Sequence, residues 1–133
     1  MNKQGIIRLD YSISTLITLA IFGFWFWSNN QVQVGNRDAQ RLSDLRQVQA
    51  AMAELYRDYH TYTPASCQQE DPVSQCQLTD YLPAIAEFND PGQGQYLVNI
   101  APDENQYAIQ FILEGNYQEL KSGYHLLTEQ GIE

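Results

Sequence analysis

Positive charge is scarce in the second half of this chain. After Arg57 the only basic residue other than histidine is Lys121, while acids recur from Asp58 through Glu70, Asp71, Asp103, Glu104 and Glu129. The net charge of −9 over 133 residues gives a surface that repels phosphate backbones and argues against nucleic acid as a direct partner. Proline is missing before Pro64, so nothing in the first half is set to break a helix. Cysteine is limited to Cys67 and Cys76. There is no GxSxG, no phosphate-binding glycine loop and no HExxH, nor any internal repeat or low-complexity tract. His60 and His125 lack ligand spacing. The carboxylate pairs Glu70-Asp71 and Asp103-Glu104 offer hard oxygens to divalent cations, with a solvated charge run as their default. The expectation is a chain that is not an enzyme, with no catalytic residue, no cofactor and no metal site.

What is present is a long helical pattern from Gly5 to about Tyr62, apolar in its first half and amphipathic in its second. Some fifty helical residues would extend roughly 75–80 Å at 1.5 Å each. The remaining chain is too short to cover such a helix, so lipid or other copies of the protein must cover part of it. Ile6–Trp27 reads as one membrane crossing, since about 22 helical residues cover about 33 Å against a hydrocarbon core of about 30 Å. The hydroxyls of Ser12, Ser14, Thr15 and Thr18 can be satisfied inside a helix. Phe24, Trp25, Phe26 and Trp27 form an aromatic girdle at the exit, followed by polar Ser28-Asn29-Asn30. Lys3 and Arg8 precede the span and the acidic domain follows it, which puts the N-terminus in the cytoplasm and the domain outside. A cleaved secretory signal is the competing reading. The aromatic end lacks a small-residue cleavage site, which favours an anchor.

Leu42, Leu45, Val48, Met52, Leu55 and Tyr59 then recur every three or four residues, with Arg41, Asp44, Arg46, Gln47, Glu54 and Asp58 on the opposite side. Arg37 and Arg41 stand as a like-charge pair, and Arg41 is placed to attract Asp44. The stripe is expected to pack on a sheet of its own domain. Thr63–Val73 is a loop punctuated by Pro64 and Pro72. Cys67 and Cys76 enclose eight residues and, in an extracytoplasmic domain, are expected to form a disulfide. Leu78–Leu82 reads as a short helix stopped by Pro83. Gln95–Ile100, Tyr107–Leu113 and Tyr124–Thr128 read as strands, with a hairpin loop at Pro102–Asn105. The fold class is α+β: a long N-terminal helix packed against a small antiparallel sheet of about three strands.

Three stretches carry a resemblance to the type IV pilin superfamily, which includes the pseudopilins of type II secretion and type IV pilus-like systems. Lys3-Gln4-Gly5 before Ile6 resembles the leader cut after glycine by prepilin peptidase. Arg37-Asp38-Ala39-Gln40-Arg41-Leu42-Ser43-Asp44-Leu45-Arg46-Gln47 resembles the segment where many pseudopilin helices leave the membrane. The tail from Phe111 to Gly115, then Gly123-Tyr124-His125 and Gly131-Ile132, resembles their last strands. The leader departs from the family pattern, with Ile6-Ile7-Arg8-Leu9-Asp10 where Phe-Thr-Leu-Ile-Glu would stand.

The resemblance implies residues 1–5 as a leader, 6–28 as the transmembrane half of the helix, and 29–133 as a pilin-like domain outside the bacterial inner membrane. Gly5 and Ile6 would flank the processing site. Asp10 falls on the acidic position whose carboxylate meets a neighbour's N-terminal amine during assembly, and Arg8 would compete for it. The alternative is that Arg8 and Asp10 only mark a cytoplasmic flank, with the span starting at Tyr11. The expected role is a non-enzymatic subunit of a filament. Its partners would be other pilin-like subunits, prepilin peptidase and an inner-membrane assembly platform. The alternative role is a monomeric, membrane-tethered binding domain on a pilin fold that no longer polymerises.

Overall fold

The computed structural model describes residues 3–92 and 94–133, with side chains inside the helix described from residue 13 onward. One helix, α1, runs Lys3–Tyr59, and the chain divides into two compact units, Met1–Val34 and Gly35–Glu133. No proline or capping signal interrupts α1. It stops where His60 enters the left-handed region at φ 57°, with the His60 N–H donating 2.7 Å to the Tyr56 carbonyl. That geometry satisfies one of the orphan carbonyls of the last turn.

The second unit is an α+β layer pair. Strands β1 (Leu97–Ile100), β2 (Ala108–Leu113), β3 (Gly123–Thr128) and β4 (Gly131–Ile132) form one antiparallel sheet in sequence order. The β2–β3 pairing is regular, from Ala108↔Thr128 to Leu113↔Gly123. The β1–β2 register shifts between Val98 and Ile100. The hairpin loop between β1 and β2 is held by Asp103, whose Oδ1 accepts the N–H groups of Asn105 and Gln106 at 2.8 and 2.9 Å. The fourth strand exceeds the expected three, and it is only two residues long.

The core is the helical stripe laid on the inward side of the sheet. Leu45, Val48, Met52 and Leu55 are buried from α1, and Val98, Ile109, Phe111, Leu113 and Leu127 are buried from the strands. Burying each such side chain is worth roughly 1.5–3 kcal/mol. Tyr59, expected in the stripe, is instead 59% exposed. The chain turns back at His60, and Tyr62 fills that end of the core, stacked 4.7 Å from Tyr56 and edge-on 4.9 Å from Tyr107.

Between α1 and β1 the chain makes three short 3-10 turns, Thr63–Ala65, Val73–Gln75 and Ile85–Glu87. The helix expected over Leu78–Leu82 is absent. One bond from the Leu82 N–H to the Leu78 carbonyl closes a single turn, and Pro83 has no N–H with which to continue it. Cys67 and Cys76 are joined in a disulfide, worth roughly 2.5–3 kcal/mol for so small a loop in the chain-entropy model. The loop it closes lies along the outer edge of β1. Val98 N–H donates to Asp71, and Glu70 and Val73 donate to Val98 and Tyr96, all at 2.7–2.9 Å. Pro72 bridges Leu97.

Leu55→Ala is expected to destabilise the Gly35–Glu133 unit by roughly 2–5 kcal/mol. Tyr59→Ala, at an exposed position, should stay within about 0.5 kcal/mol. Thermal unfolding of the full chain in detergent, followed by circular dichroism, compares the two. Equal effects would contradict the burial pattern.

Candidate functional site

Within the first unit, the described side chains from Ile13 to Trp27 are exposed on every side of α1. Leu16, Leu19, Phe22, Phe24 and Phe26 each leave 65–74% of their surface uncovered. A helix that is apolar all round requires an apolar surrounding. The Thr18 hydroxyl is satisfied within the helix, donating 2.8 Å to the Ser14 carbonyl. Phe22 packs edge-on against Trp25, and Phe24 lies beside Trp27, both with ring centres 6.4 Å apart.

Among the described residues no helix is long and apolar enough to cross a membrane. The described apolar run starts at Ile13 and meets Ser28-Asn29-Asn30, short of the roughly 20 residues a crossing needs. Completing the expected span takes in Ile6–Ser12. Gly5, Ile6, Arg8 and Asp10, the expected processing and assembly residues, belong to α1 but lie outside the residues whose side chains are described.

In the second unit the structure gathers five charges. Arg41 is 3% exposed and Asp38 is 1% exposed, the two buried ionic residues of the described chain. The Arg41 guanidinium forks onto Asp90, with Nε and Nη2 both donating at 2.7 Å. Nη2 also donates to Glu114 at 2.6 Å, and Nη1 to Asp38 at 2.6 Å. Asp38 is itself pinned, because its two oxygens accept the backbone N–H groups of Glu114 and Gly115 at 3.0 and 2.8 Å. Arg37 forks onto Glu114 as well, its Nε donating 2.9 Å to the oxygen Arg41 meets and its Nη2 pairing with the other oxygen. One helical turn thus holds both the end of β2 and the connector before β1.

Two expectations fail here for one reason. Arg41 is not on a solvated face, and it does not pair with Asp44. The carboxylates of Asp90 and Glu114 draw its guanidinium into the domain, while Asp44 accepts the Tyr96 hydroxyl at 3.1 Å. Arg37 and Arg41 sit close as like charges because Glu114 lies between them.

The electrostatics follow. Hydrogen bonding to Arg37, working against burial and reinforced by Arg41, holds the Glu114 carboxyl down at about 2. Burial pushes the Asp90 carboxyl up, and Arg41 with the Gly92 N–H more than reverses it, leaving Asp90 below its ordinary value. Burial raises the Asp44 carboxyl, and the Tyr96 hydroxyl opposes the rise. The hydrogen bonds that Arg41 donates to Asp90 lead the rise of its guanidinium above its already high value.

A cavity of about 570 Å³ opens beside the cluster, lined by Arg37, Arg41, Asp90, Gly92, Ile112 and Glu114. Every charged group in it is already paired, which makes the cluster a clamp between the helix, the end of β2 and the connector before β1. Three of the remaining candidates are similarly occupied. Asp71 accepts the Gln68 N–H at 2.9 Å and Asp103 closes its hairpin loop, so both serve turns. Both ring nitrogens of His125 face backbone carbonyls, those of Glu133 and Lys121.

Gly92 shows how tightly the clamp is filled. A Cβ there would lie 2.5 Å from Arg41 Nη2 and 3.0 Å from both Asp90 Oδ1 and Glu114 Oε1. Because three carboxylates fix that guanidinium, Gly92→Ala is expected to cost roughly 1–3 kcal/mol. At Gly94 a Cβ meets only Asp90 at 3.5 Å or more, so Gly94→Ala should stay within about 0.5 kcal/mol. Chemical denaturation of the two variants tests the difference. Acid gives a second test. A carboxyl held low in the folded state contributes stability that is complete above its ordinary value and lost as pH falls through the folded one. For Glu114 the loss runs from pH 4.5 down to about 2. Glu114→Gln should flatten the stability profile across that window, and an unchanged profile would refute the assignment.

No protein-family model, curated protein or solved structure matches the chain.

Proposed function

We propose that this protein is a non-enzymatic, pilin-like subunit, held in the bacterial inner membrane by its N-terminal helix and assembled through that helix into a filament. The observation that carries the reading is α1 itself. One uninterrupted helix, Lys3–Tyr59, exposes apolar and aromatic side chains on all sides from Ile13 to Trp27 and buries a single stripe from Leu42 to Leu55. The first stretch calls for an apolar environment, and the second for a sheet. A helix that serves both needs joins a membrane-seeking segment to a folded head, as a subunit stored in lipid and packed into a filament requires. The paired charges of the clamp and the absence of a nucleophile among them support a mechanical role over a catalytic one.

In this reading prepilin peptidase removes residues 1–5 on the cytoplasmic side and exposes the α-amine of Ile6. Asp10 lies one helical turn along. The amine pairs first within its own chain and then exchanges to a neighbour's Asp10 as subunits stack on the assembly platform, keeping both charges compensated at the membrane surface. Arg8 offers Asp10 a permanent rival partner, so Arg8→Thr should improve processing or assembly.

The test is the N-terminal peptide recovered from native membranes, combined with Asp10→Ala. The expected peptide begins at Ile6. The variant should insert and fold its outer domain normally while its incorporation into filaments falls. A chain that keeps Met1, together with an Asp10→Ala protein indistinguishable from wild type, would overturn the proposal in favour of a tethered, non-polymerising binding domain.

A further inference from the structure

The solvent side of α1 in the second unit carries a second feature, remote in chemistry from the clamp. Two grooves, of about 330 and 310 Å³, share Arg46 and Ala50. Small helix residues, Ala39, Ser43, Ala50 and Ala53, line them. From Ala39 to Ala53 the helix advances roughly 20 Å, the length of about six residues of extended chain. Small residues alone would mean little. The second groove, however, also holds Tyr62, Tyr107 and Glu129.

Tyr107 is 2% exposed and Tyr62 is 8% exposed, yet neither hydroxyl makes a hydrogen bond with a described residue. No fully buried polar side-chain atom among the described residues lacks a partner. The two phenol oxygens therefore keep access to the groove they line. A deeply buried tyrosine normally finds a partner for its hydroxyl, and these two neighbouring hydroxyls find none among the described residues and face the groove instead. Arg46 and Glu129 line the same groove without pairing to each other or to any other described charge. Both are exposed, and opposite charges that line one groove unpaired leave each free to meet a dipolar chain.

We propose that this trough binds an extended peptide segment of a partner protein, with a lysine ammonium seated among the oxygens of Tyr62, Tyr107 and Glu129. An ammonium has three N–H donors and no acceptor, which matches two phenol oxygens and one carboxylate. Burial raises both phenols, so they stay neutral and keep their lone pairs. Arg46, at the junction of the two grooves, supplies donors to the peptide's carbonyls, and Gln49 supplies both kinds of group. A sugar is the poorer fit, because it stacks on ring faces and these rings already pack on Tyr56 and on each other. The acidic surface of the domain favours a basic partner. The inference does not depend on filament formation.

The probe is an acetylated, amidated hexapeptide with one central lysine, titrated against the full chain in zwitterionic detergent micelles and followed by amide chemical shifts in NMR. Saturable shifts at Ala50, Ala53 and Glu129 are expected. Replacing the lysine by norleucine, or the protein's Glu129 by Gln, should weaken binding at least about tenfold. Tyr107→Phe keeps the ring and removes only the hydroxyl, and should do the same. No saturable shift up to about 10 mM, equal binding of the norleucine peptide, or an unaffected Tyr107→Phe variant would each overturn the proposal. Free lysine binding as tightly as the peptide would overturn it too, since the trough would then contribute nothing. A hexasaccharide that saturates the same residues where the peptide does not would replace it with a glycan site.

Discussion

The buried Arg41 guanidinium is the constraint to which the outer domain is fitted. Taking an arginine and an aspartate out of water costs several kcal/mol per ion, and the mutual attraction repays it only when every donor and lone pair is used. Here Arg41 engages Asp38, Asp90 and Glu114, and Asp38 further accepts two backbone N–H groups. Such a hub adds little net stability over an apolar equivalent. It does penalise every arrangement in which one of its partners is displaced, because that would leave a buried charge unpaired. Hydrophobic burial supplies the driving force, with Leu45, Val48, Met52 and Leu55 against the sheet. The hub selects which turn of the helix meets the end of β2.

Arginine suits this place for a further reason. Its planar fork meets one carboxylate with two parallel bonds and has donors left for others, and its charge does not titrate away in any physiological range. A lysine would bring the charge without the geometry. The same fixity makes Gly92 necessary, since any side chain there would compete with Nη2 for its position.

How much of this was legible beforehand depended on range. The buried stripe could be read because it follows the 3.6-residue period of one helix, and the three longer strands because β-branched and aromatic residues cluster between turn signals. The disulfide followed from two cysteines in a short loop. The clamp could not be read in the same way. Arg41 meets Asp90 and Glu114 across 49 and 73 residues of chain, and local rules pair it instead with Asp44. Arg37, Asp38 and Arg41 on one helical face were the available hint. β4 is too short to show a period. Tyr59 followed the stripe by period and fell outside it because the helix ends there. The Tyr62–Tyr107 site joins the chain after the helix to the start of β2 and rests on missing hydrogen bonds, which no sequence pattern displays.

The strip from Glu70 to Val73 has a consequence for how the domain survives in company. A sheet has two open borders, and each is a template for any passing strand. On the β1 side that template is already occupied by the chain's own loop, held in place by Cys67 and Cys76. The occupant carries a proline and two acids, so it ends the pattern of lateral pairing there instead of offering a new one. A chain in which the bond has not yet closed keeps that border covered by the backbone contacts and the buried Val73 side chain alone. The disulfide narrows the ways this cover can lift away, and so adds to the protection of molecules packed at high density from zipping together edge to edge.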